Sequence, residues 1–261
     1  MNLPNEPHKK LTSKQYKAWK AMRALLSDNL DAADKQYDAF EESENGKVIS
    51  TDIARYLDKE YAKDPKGKLR DIEPGWELAW RYAENRLIYE LVEGGKGKIF
   101  RMMAGGWAAG KTHAIRHLKS EPDLVWDGTL SRSTWAASII ELALKREWKV
   151  EIVYIYRNLE LAMYGALERE KEERRSVPLK DLPKTHLEAQ QSILELSLTY
   201  AGKPGVSFLY IHNLGRKDAI AEPLEIKRKE LESRGALRYL KKHEQYYRTA
   251  SKHLLTEDHS A

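Results

Sequence analysis

Residues 105–112 read G-G-W-A-A-G-K-T and match the phosphate-binding loop pattern G-x-x-x-x-G-K-[ST] at every specified position. Glycines in such a loop let successive backbone N–H groups turn inward around a polyphosphate. We expect Lys111 to reach the β- and γ-phosphates of ATP or GTP, and the Thr112 hydroxyl to help hold Mg²⁺. The residues predicted to bind the nucleotide are Gly105, Gly106, Trp107, Ala108, Ala109, Gly110, Lys111 and Thr112.

The loop pattern lies between a predicted strand and a predicted helix. Residues 99–104 form an apolar run, and residues 111–119 can continue as a helix. A helix that starts at the loop presents the positive end of its dipole to a bound phosphate. The alternative is a chance turn rich in glycine and alanine. The strand-loop-helix context favours phosphate binding over that alternative.

A second candidate residue is Asp127, which ends the apolar run L-V-W-D. In open α/β sheets, ligands bind at the carboxyl ends of the strands. A carboxylate at this place can bind Mg²⁺ through water, or it can accept the proton of a substrate hydroxyl. The alternative is a structural aspartate that caps the next helix or closes the D-G turn. We favour a role in the site because the acid follows a strand beside the phosphate loop.

Two arginines, Arg169 and Arg175, are candidates for stabilising the transferred phosphoryl group. They lie six positions apart, where a predicted helix gives way to a loop. Arginines on a lid can neutralise charge and exclude water during phosphoryl transfer. On residue types alone, a solvated charged helix explains the stretch better, because it also contains four glutamates. His186 and Trp107 are ambiguous in the same way, since each suits either the site or the core.

Strands and helices alternate after residue 97. The candidate strands cover residues 99–104, 124–126, 150–156 and 206–212, and the connecting helices cover residues 111–119, 132–146, 159–173 and 185–200. Such alternation is typical of a parallel sheet covered by helices, so we predict an α/β fold. The predicted divisions are an all-helical N-terminal region (1–97), an α/β core (98–222) and a basic helical C-terminal tail (223–261).

Composition excludes several classes of function. The net charge of +5 reflects 45 basic and 40 acidic residues mixed along the chain, which is too weak a bias to favour a nucleic-acid partner. No apolar run is long enough to span a membrane, and the N-terminus lacks the apolar core of a signal peptide. Cysteine is absent, which fits a reducing compartment. We therefore expect a cytoplasmic protein that does not bind a membrane.

The ordered motifs resemble the zeta-toxin family of P-loop kinases. They are A-G-G-W-A-A-G-K-T, V-W-D-G-T-L, V-E-I-V-Y-I-Y-R-N, R-E-K-E-E-R-R-S-V-P-L and T-H. The likeness is to a zeta-like branch with a D-G-T-L motif. The resemblance implies an α/β fold of the P-loop kinase-like type, a parallel sheet flanked by helices with an all-helical N-terminal region and a helical C-terminal tail.

The resemblance also implies an activity and partners. The γ-phosphoryl group of ATP or GTP would pass to a hydroxyl of a small metabolite such as a UDP-amino sugar, which would make the protein a bacterial toxin. An antitoxin protein would then be its partner. By motif position, Lys111 and Thr112 would serve the nucleotide and Mg²⁺, Asp127 would act at the acceptor hydroxyl and also hold Mg²⁺, and Arg169 and Arg175 would be lid arginines.

Two features depart from the family pattern. Typical members carry an acid-bearing strand directly after the helix that follows the phosphate loop, and another acid on a later strand. Only fifteen residues separate Thr112 from Asp127, which leaves room for one of these strands. Asp127 would then combine two roles. Arg101 is also out of character for a buried strand.

Other functions compete with a small-molecule kinase. The chain could be a nucleotide-gated interaction protein of a mobile element, gripping a partner through residues 1–97 or 224–261. The N-terminal region could also restrain the site in cis. A kinase for nucleic-acid ends is disfavoured, because residues 224–261 contain only nine basic against six acidic residues.

Overall fold

Six strands form one sheet with the order β1-β3-β2-β4-β5-β6. The computed structural model describes residues 1–8, 10–63, 75–111, 118, 120–173, 181–214 and 219–223. The strands are β1 (Val48–Ile49), β2 (Ile99–Ala104), β3 (Leu124–Asp127), β4 (Lys149–Tyr156), β5 (Val206–Asn213) and β6 (Ala219–Pro223). The first five are parallel, and β6 runs antiparallel to β5. All carboxyl ends of the parallel strands therefore meet at one edge of the sheet.

Eight α-helices lie in the described part of the chain. They are α1 (Ser13–Asp28), α2 (Leu30–Asp38), α3 (Thr51–Ala54), α4 (Lys59–Lys63), α5 (Trp76–Glu93), α6 (Ser133–Lys145), α7 (Leu159–Glu173) and α8 (Leu182–Tyr200). Local sequence sets several of their starts. Thr12 and Gln15 form a reciprocal capping box at α1, and the Ser50 hydroxyl accepts the Asp52 N–H at α3.

The sequence prediction of a parallel α/β sheet is confirmed. The four predicted strands correspond to β2, β3, β4 and β5, and predicted helices after residue 120 correspond to α6, α7 and α8. Helix α8 begins three residues before the predicted start, because Pro183 suits the first turn of a helix. The predicted helix 111–119 lies mostly outside the described residues, as does the predicted helical tail from residue 224 onward.

The prediction of an entirely helical N-terminal region needs a correction, because β1 lies within it. Val48 pairs with Val125 and Ile49 with Trp126, which places β1 beside β3. A strand of two residues has no detectable period of its own and is stabilised by its partner. Strand β6 was also not predicted. It occupies the sheet edge, where its terminal Pro223 is tolerated.

The N-terminal helices share one hydrophobic core with the sheet. This core contains Trp19, Leu57 and Leu87 from the N-terminal region together with Phe100 and Ile152 from the sheet, all nearly inaccessible to solvent. A smaller cluster on the other face of the sheet includes Met103, Val125, Val153, Ile155 and Ile211. The parallel strands are continuous apolar runs because both of their faces are covered.

A buried tyrosine fastens β1 to the helices. The Tyr37 hydroxyl donates to the Val48 carbonyl (3.0 Å) and accepts from the Ser50 N–H (2.9 Å). Burial raises the pKa of Tyr37 well above its usual value, so the hydroxyl keeps its proton and can make both bonds. These two bonds define the end of β1 at the edge of the sheet where the strands end.

The unexpected Arg101 in β2 is matched by a partner on the next strand. Its guanidinium is 2% exposed and lies 2.8 Å from a Glu151 carboxylate oxygen on β4. It also donates to the backbone carbonyl (2.8 Å) and the hydroxyl (2.6 Å) of Ser120. A buried charge with an ion partner and satisfied donors is tolerated in a core. Arg101 thus joins two strands to the segment that precedes β3.

Candidate functional site

The phosphate-loop residues and Asp127 lie at neighbouring ends of the parallel strands. Met103, two residues before the loop, pairs with Asp127 at the end of β3. On the other side of β2, Ala104 pairs with Tyr154 of β4. The Gly105 N–H also donates to the Thr129 carbonyl (3.2 Å), which ties the D-G-T segment to the first residue of the loop. This edge is where ligands bind in open α/β sheets.

The loop requires backbone conformations that favour glycine. Gly105 has φ +147° and Gly110 has φ +86°. A Cβ on Gly105 would lie 2.7 Å from the Ile155 carbonyl oxygen, and one on Gly110 would overlap the Asn213 side-chain amide. Glycine is therefore needed at both positions for space as well as for φ. Ala108 also has a left-handed φ of 56°, which is uncommon for a residue with a Cβ.

Two side chains of helix α8 bind the backbone of Trp107, one at its N–H and one at its carbonyl. The Trp107 N–H donates to the Thr185 hydroxyl (3.1 Å), and the Trp107 carbonyl lies 2.8 Å from His186 Nε2. Because a carbonyl only accepts, Nε2 must carry a proton. The pKa of His186 is lowered to about 4, mainly by burial and further by the charges of Lys111 and Arg157, while the bond to Trp107 opposes these effects. His186 is therefore neutral at ordinary pH.

Two further side chains bind the next two carbonyls of the loop. Arg157 Nη1, just after β4, donates to the Ala108 carbonyl (3.1 Å). Asn213 Nδ2, at the end of β5, donates to the Ala109 carbonyl (2.8 Å). Three successive carbonyls are thus fixed toward the protein by α8, β4 and β5.

With these carbonyls bound by protein side chains, some amides of the loop are left for a ligand. Within the described part of the chain, the N–H groups of Gly106, Ala108 and Gly110 have no acceptor. Lys111 follows directly, and its charge acts on the buried ring of His186 together with that of Arg157. Unsatisfied amides beside two cations are suited to an anion with several oxygens. The polyphosphate of a nucleotide fits this arrangement.

Asp127 supplies a carboxylate next to the loop. It is partly exposed at the end of β3, and its charge contributes to the raised pKa of Tyr37 after the larger effect of burial. Asp127 thus lies near both the phosphate loop and the end of β1. A carboxylate at such a place fits either water-mediated binding of Mg²⁺ or proton transfer from a hydroxyl.

The other predicted site residues lie wholly or partly outside the described part of the chain. Thr112 and Arg175 lie outside the described residues. Arg169 lies on α7, and its side chain is likewise outside the described part. Among the described residues no group of three or more His, Cys, Asp or Glu side chains is placed to hold a metal ion.

Sequence reasoning did not select Thr185, Arg157 or Asn213 as site residues. A signal was available for two of them, because Arg157 and Asn213 end or follow predicted strands, as Asp127 does. Their bonds to the loop could not be foreseen, because they depend on the fold. Arg157 is 49 positions from Ala108 in the sequence, and Asn213 is 104 positions from Ala109.

The sheet and the loop define a P-loop kinase-like α/β protein. The family model of the zeta toxins matches residues 118–205, and this match supports the assignment of the chain to the zeta-toxin family, which is a family of kinase-like toxins. The matched range includes Asp127, Arg157 and His186, whereas the phosphate loop precedes it. No curated protein matches the chain. No helix among the described residues is long and apolar enough to cross a membrane.

Proposed function

We propose that this protein is a kinase that transfers the γ-phosphoryl group of ATP or GTP to a hydroxyl of a small metabolite. The observation that carries the proposal is the loop whose carbonyls are bound by His186, Arg157 and Asn213, while the N–H groups of Gly106, Ala108 and Gly110 have no acceptor among the described residues. Amides held in place before the ligand arrives need no rearrangement when charge develops on the phosphates.

The nucleotide would lie on residues 105–112. The amides of Gly106, Ala108 and Gly110 would donate to phosphate oxygens, and Lys111 would reach the β- and γ-phosphates. Thr112 and Asp127 would hold Mg²⁺, which neutralises charge between those phosphates. Trp107 remains a candidate for contact with the nucleotide base, since its side chain is only partly buried.

The acceptor would lie over the ends of β3 and β1. There the Asp127 carboxylate would accept the hydroxyl proton as the oxygen attacks the γ-phosphorus in line with the leaving group. Arg169 and Arg175 would stabilise the charge on the moving phosphoryl group. Strand β1 is the outer neighbour of β3. Residues 50–52 would therefore bound the acceptor on the side away from the nucleotide.

A UDP-amino sugar is the acceptor that we propose on family grounds, with toxicity to bacteria as the consequence. The zeta-like branch with the D-G-T-L motif, a partner antitoxin and a cytoplasmic location belong to the same proposal. The match to the zeta-toxin family model supports the kinase-like assignment from which these points are proposed. An acceptor of this kind is anionic, which agrees in sign with the net charge of +5.

The test uses purified protein, γ-labelled ATP or GTP with Mg²⁺, and a bacterial metabolite extract. We expect label to move to a small molecule, and we expect Lys111→Ala and Asp127→Asn each to lower the rate by about 10²-fold or more. Lys145→Ala changes an exposed lysine at the end of α6 and serves as the matched control. Folded protein that binds nucleotide but transfers no label would support a nucleotide-gated interaction protein instead.

A further inference from the structure

Ala108 is held in a conformation that its side chain disfavours. Its φ of 56° lies in the left-handed region, which is strained for a residue with a Cβ. Such a conformation persists only where its surroundings impose it. The hydrogen bond that reaches this residue's carbonyl comes from Arg157 Nη1 at 3.1 Å.

Arg157 reaches Ala108 by lying against α7 at Gly165. A Cβ on Gly165 would be 2.6 Å from Arg157 Nη1 and 3.3 Å from Cζ. A Cβ at this position would therefore force the guanidinium to shift. Glycine inside a helix destabilises it relative to alanine, so Gly165 weakens α7 at the point where Arg157 passes.

Arg157 also places positive charge beside the loop. Its charge and that of Lys111 both act on the buried His186 ring. A guanidinium has five N–H donors in a fixed plane, which holds a carbonyl more rigidly than the flexible ammonium of lysine does. Arg157 therefore combines a directional bond to the loop with a charge of the sign that a polyphosphate needs.

We propose that Arg157 is a positioning residue that holds Ala108 in its left-handed conformation, and that Gly165 provides the space this requires. The Ala108 N–H then faces the nucleotide phosphates. The inference rests on the proposed nucleotide site. It adds that Arg157 and Gly165 set the affinity of this site for the nucleotide. Helix α7, which carries Arg169 further along, is thereby joined to the phosphate loop through one guanidinium.

The test measures the Kd for Mg²⁺·ATP and Mg²⁺·GTP by calorimetry, with the Tm of each variant recorded. We expect Arg157→Gln to weaken binding about 10- to 100-fold, as the loss of a hydrogen bond from a charged donor predicts. Arg157→Lys should give an intermediate loss, because it keeps the charge without the planar donors. Arg146→Gln, at the exposed end of α6, is the matched control and should bind like the wild type.

Two further variants separate positioning from general stability. Gly165→Ala should raise the Tm while weakening binding by a similar factor, because its methyl group displaces the guanidinium. Ala108→Gly, added to Arg157→Gln, should restore about fivefold of the lost affinity, since glycine adopts the left-handed conformation without strain. If Arg157→Gln does not fold, the Gly165→Ala result decides the question.

The results that would overturn the inference are distinct from those that would overturn the proposed function. Wild-type protein that binds neither nucleotide removes the proposed function. If wild-type protein binds and Arg157→Gln or Gly165→Ala binds equally well, only the role of Arg157 is refuted. A Gly165→Ala effect that persists undiminished in the Arg157→Gln background would also refute it, because Gly165 would then act through another contact.

Discussion

On the phosphate-loop side of the site, four side chains from α8, β5 and the end of β4 bind the loop backbone. On the side of Asp127, by contrast, the sheet ends in β1, a strand of two residues whose end is fastened by the hydroxyl of Tyr37. The first side is fixed by many bonds around one continuous segment. The second combines segments about eighty residues apart in the sequence.

This difference corresponds to what each side would bind. A nucleotide polyphosphate presents the same oxygens in every kinase, so one backbone conformation can serve it. An acceptor differs between kinases, so the elements near it are free to vary. Strand β1 precedes the phosphate loop in the chain, yet it lies beside β3 in the sheet. The fifteen residues that follow Thr112 and end at Asp127 therefore need to supply only one strand, β3.

The largest effect is expected from removing the N-terminal region. A chain that lacks residues 1–90 should not fold, because Trp19, Leu57 and Leu87 belong to the core that covers the sheet. Circular dichroism and thermal unfolding would measure this. The single change Trp19→Ala should cost about 3–5 kcal/mol and provides a graded comparison. A truncated protein that folds and is more active than the wild type would instead support restraint of the site in cis.

On the phosphate-loop side, the change His186→Ala should weaken nucleotide binding about 5- to 100-fold. It removes the donor to the Trp107 carbonyl and leaves that buried group unsatisfied. His186→Gln can keep an N–H near the same place and should recover part of the loss. Calorimetry with Mg²⁺·ATP and Mg²⁺·GTP measures both variants. Equal binding by the alanine variant and the wild type would show that the loop holds its shape without this bond.

On the side of β1, Tyr37→Phe should lower the free energy of unfolding by about 1–3 kcal/mol and leave the nucleotide Kd nearly unchanged. The change removes the hydroxyl that bonds Val48 and Ser50, and β3 separates β1 from β2, the strand that leads into the loop. Tyr82→Phe is the matched control, because its ring packs against that of Tyr37 but its hydroxyl donates to Asp34 instead of to β1. We expect only Tyr37→Phe to lower phosphoryl transfer per bound nucleotide. If both variants transfer the phosphoryl group equally well, the Tyr37 bonds at β1 do not support the acceptor site.

The sequence was most informative where function depends on backbone conformation. The glycines of the loop are required by φ and by space, so they leave a motif in the sequence. The apolar strands β2, β4 and β5 were predictable because both of their faces are buried. Asp127 was selectable because it follows such a strand.

The remaining features depend on contacts that no local pattern contains. Val48 and Ile49 become a strand only because β3 offers its edge to them. Arg101 looked anomalous until its carboxylate partner, Glu151, appeared on the adjacent strand. The sequence left His186 as either a core residue or a ligand contact. In the structure it is buried and bonds the Trp107 carbonyl of the loop.

The smallest predicted effect is a pH dependence of stability due to His186. Its pKa is about 4 in the folded protein, mainly through burial, against a usual value of 6.5. The unfolded chain therefore binds a proton as the pH falls below about 6.5 while the folded chain does not, so stability decreases with falling pH down to about 4. Urea unfolding should lose about 1 kcal/mol between about pH 7.5 and pH 5.5 from this group. His186→Gln lacks the titrating ring and should lose less over that interval. An unchanged pH dependence in the glutamine variant would mean that His186 has the same pKa in the folded and unfolded chains, and that burial does not lower it.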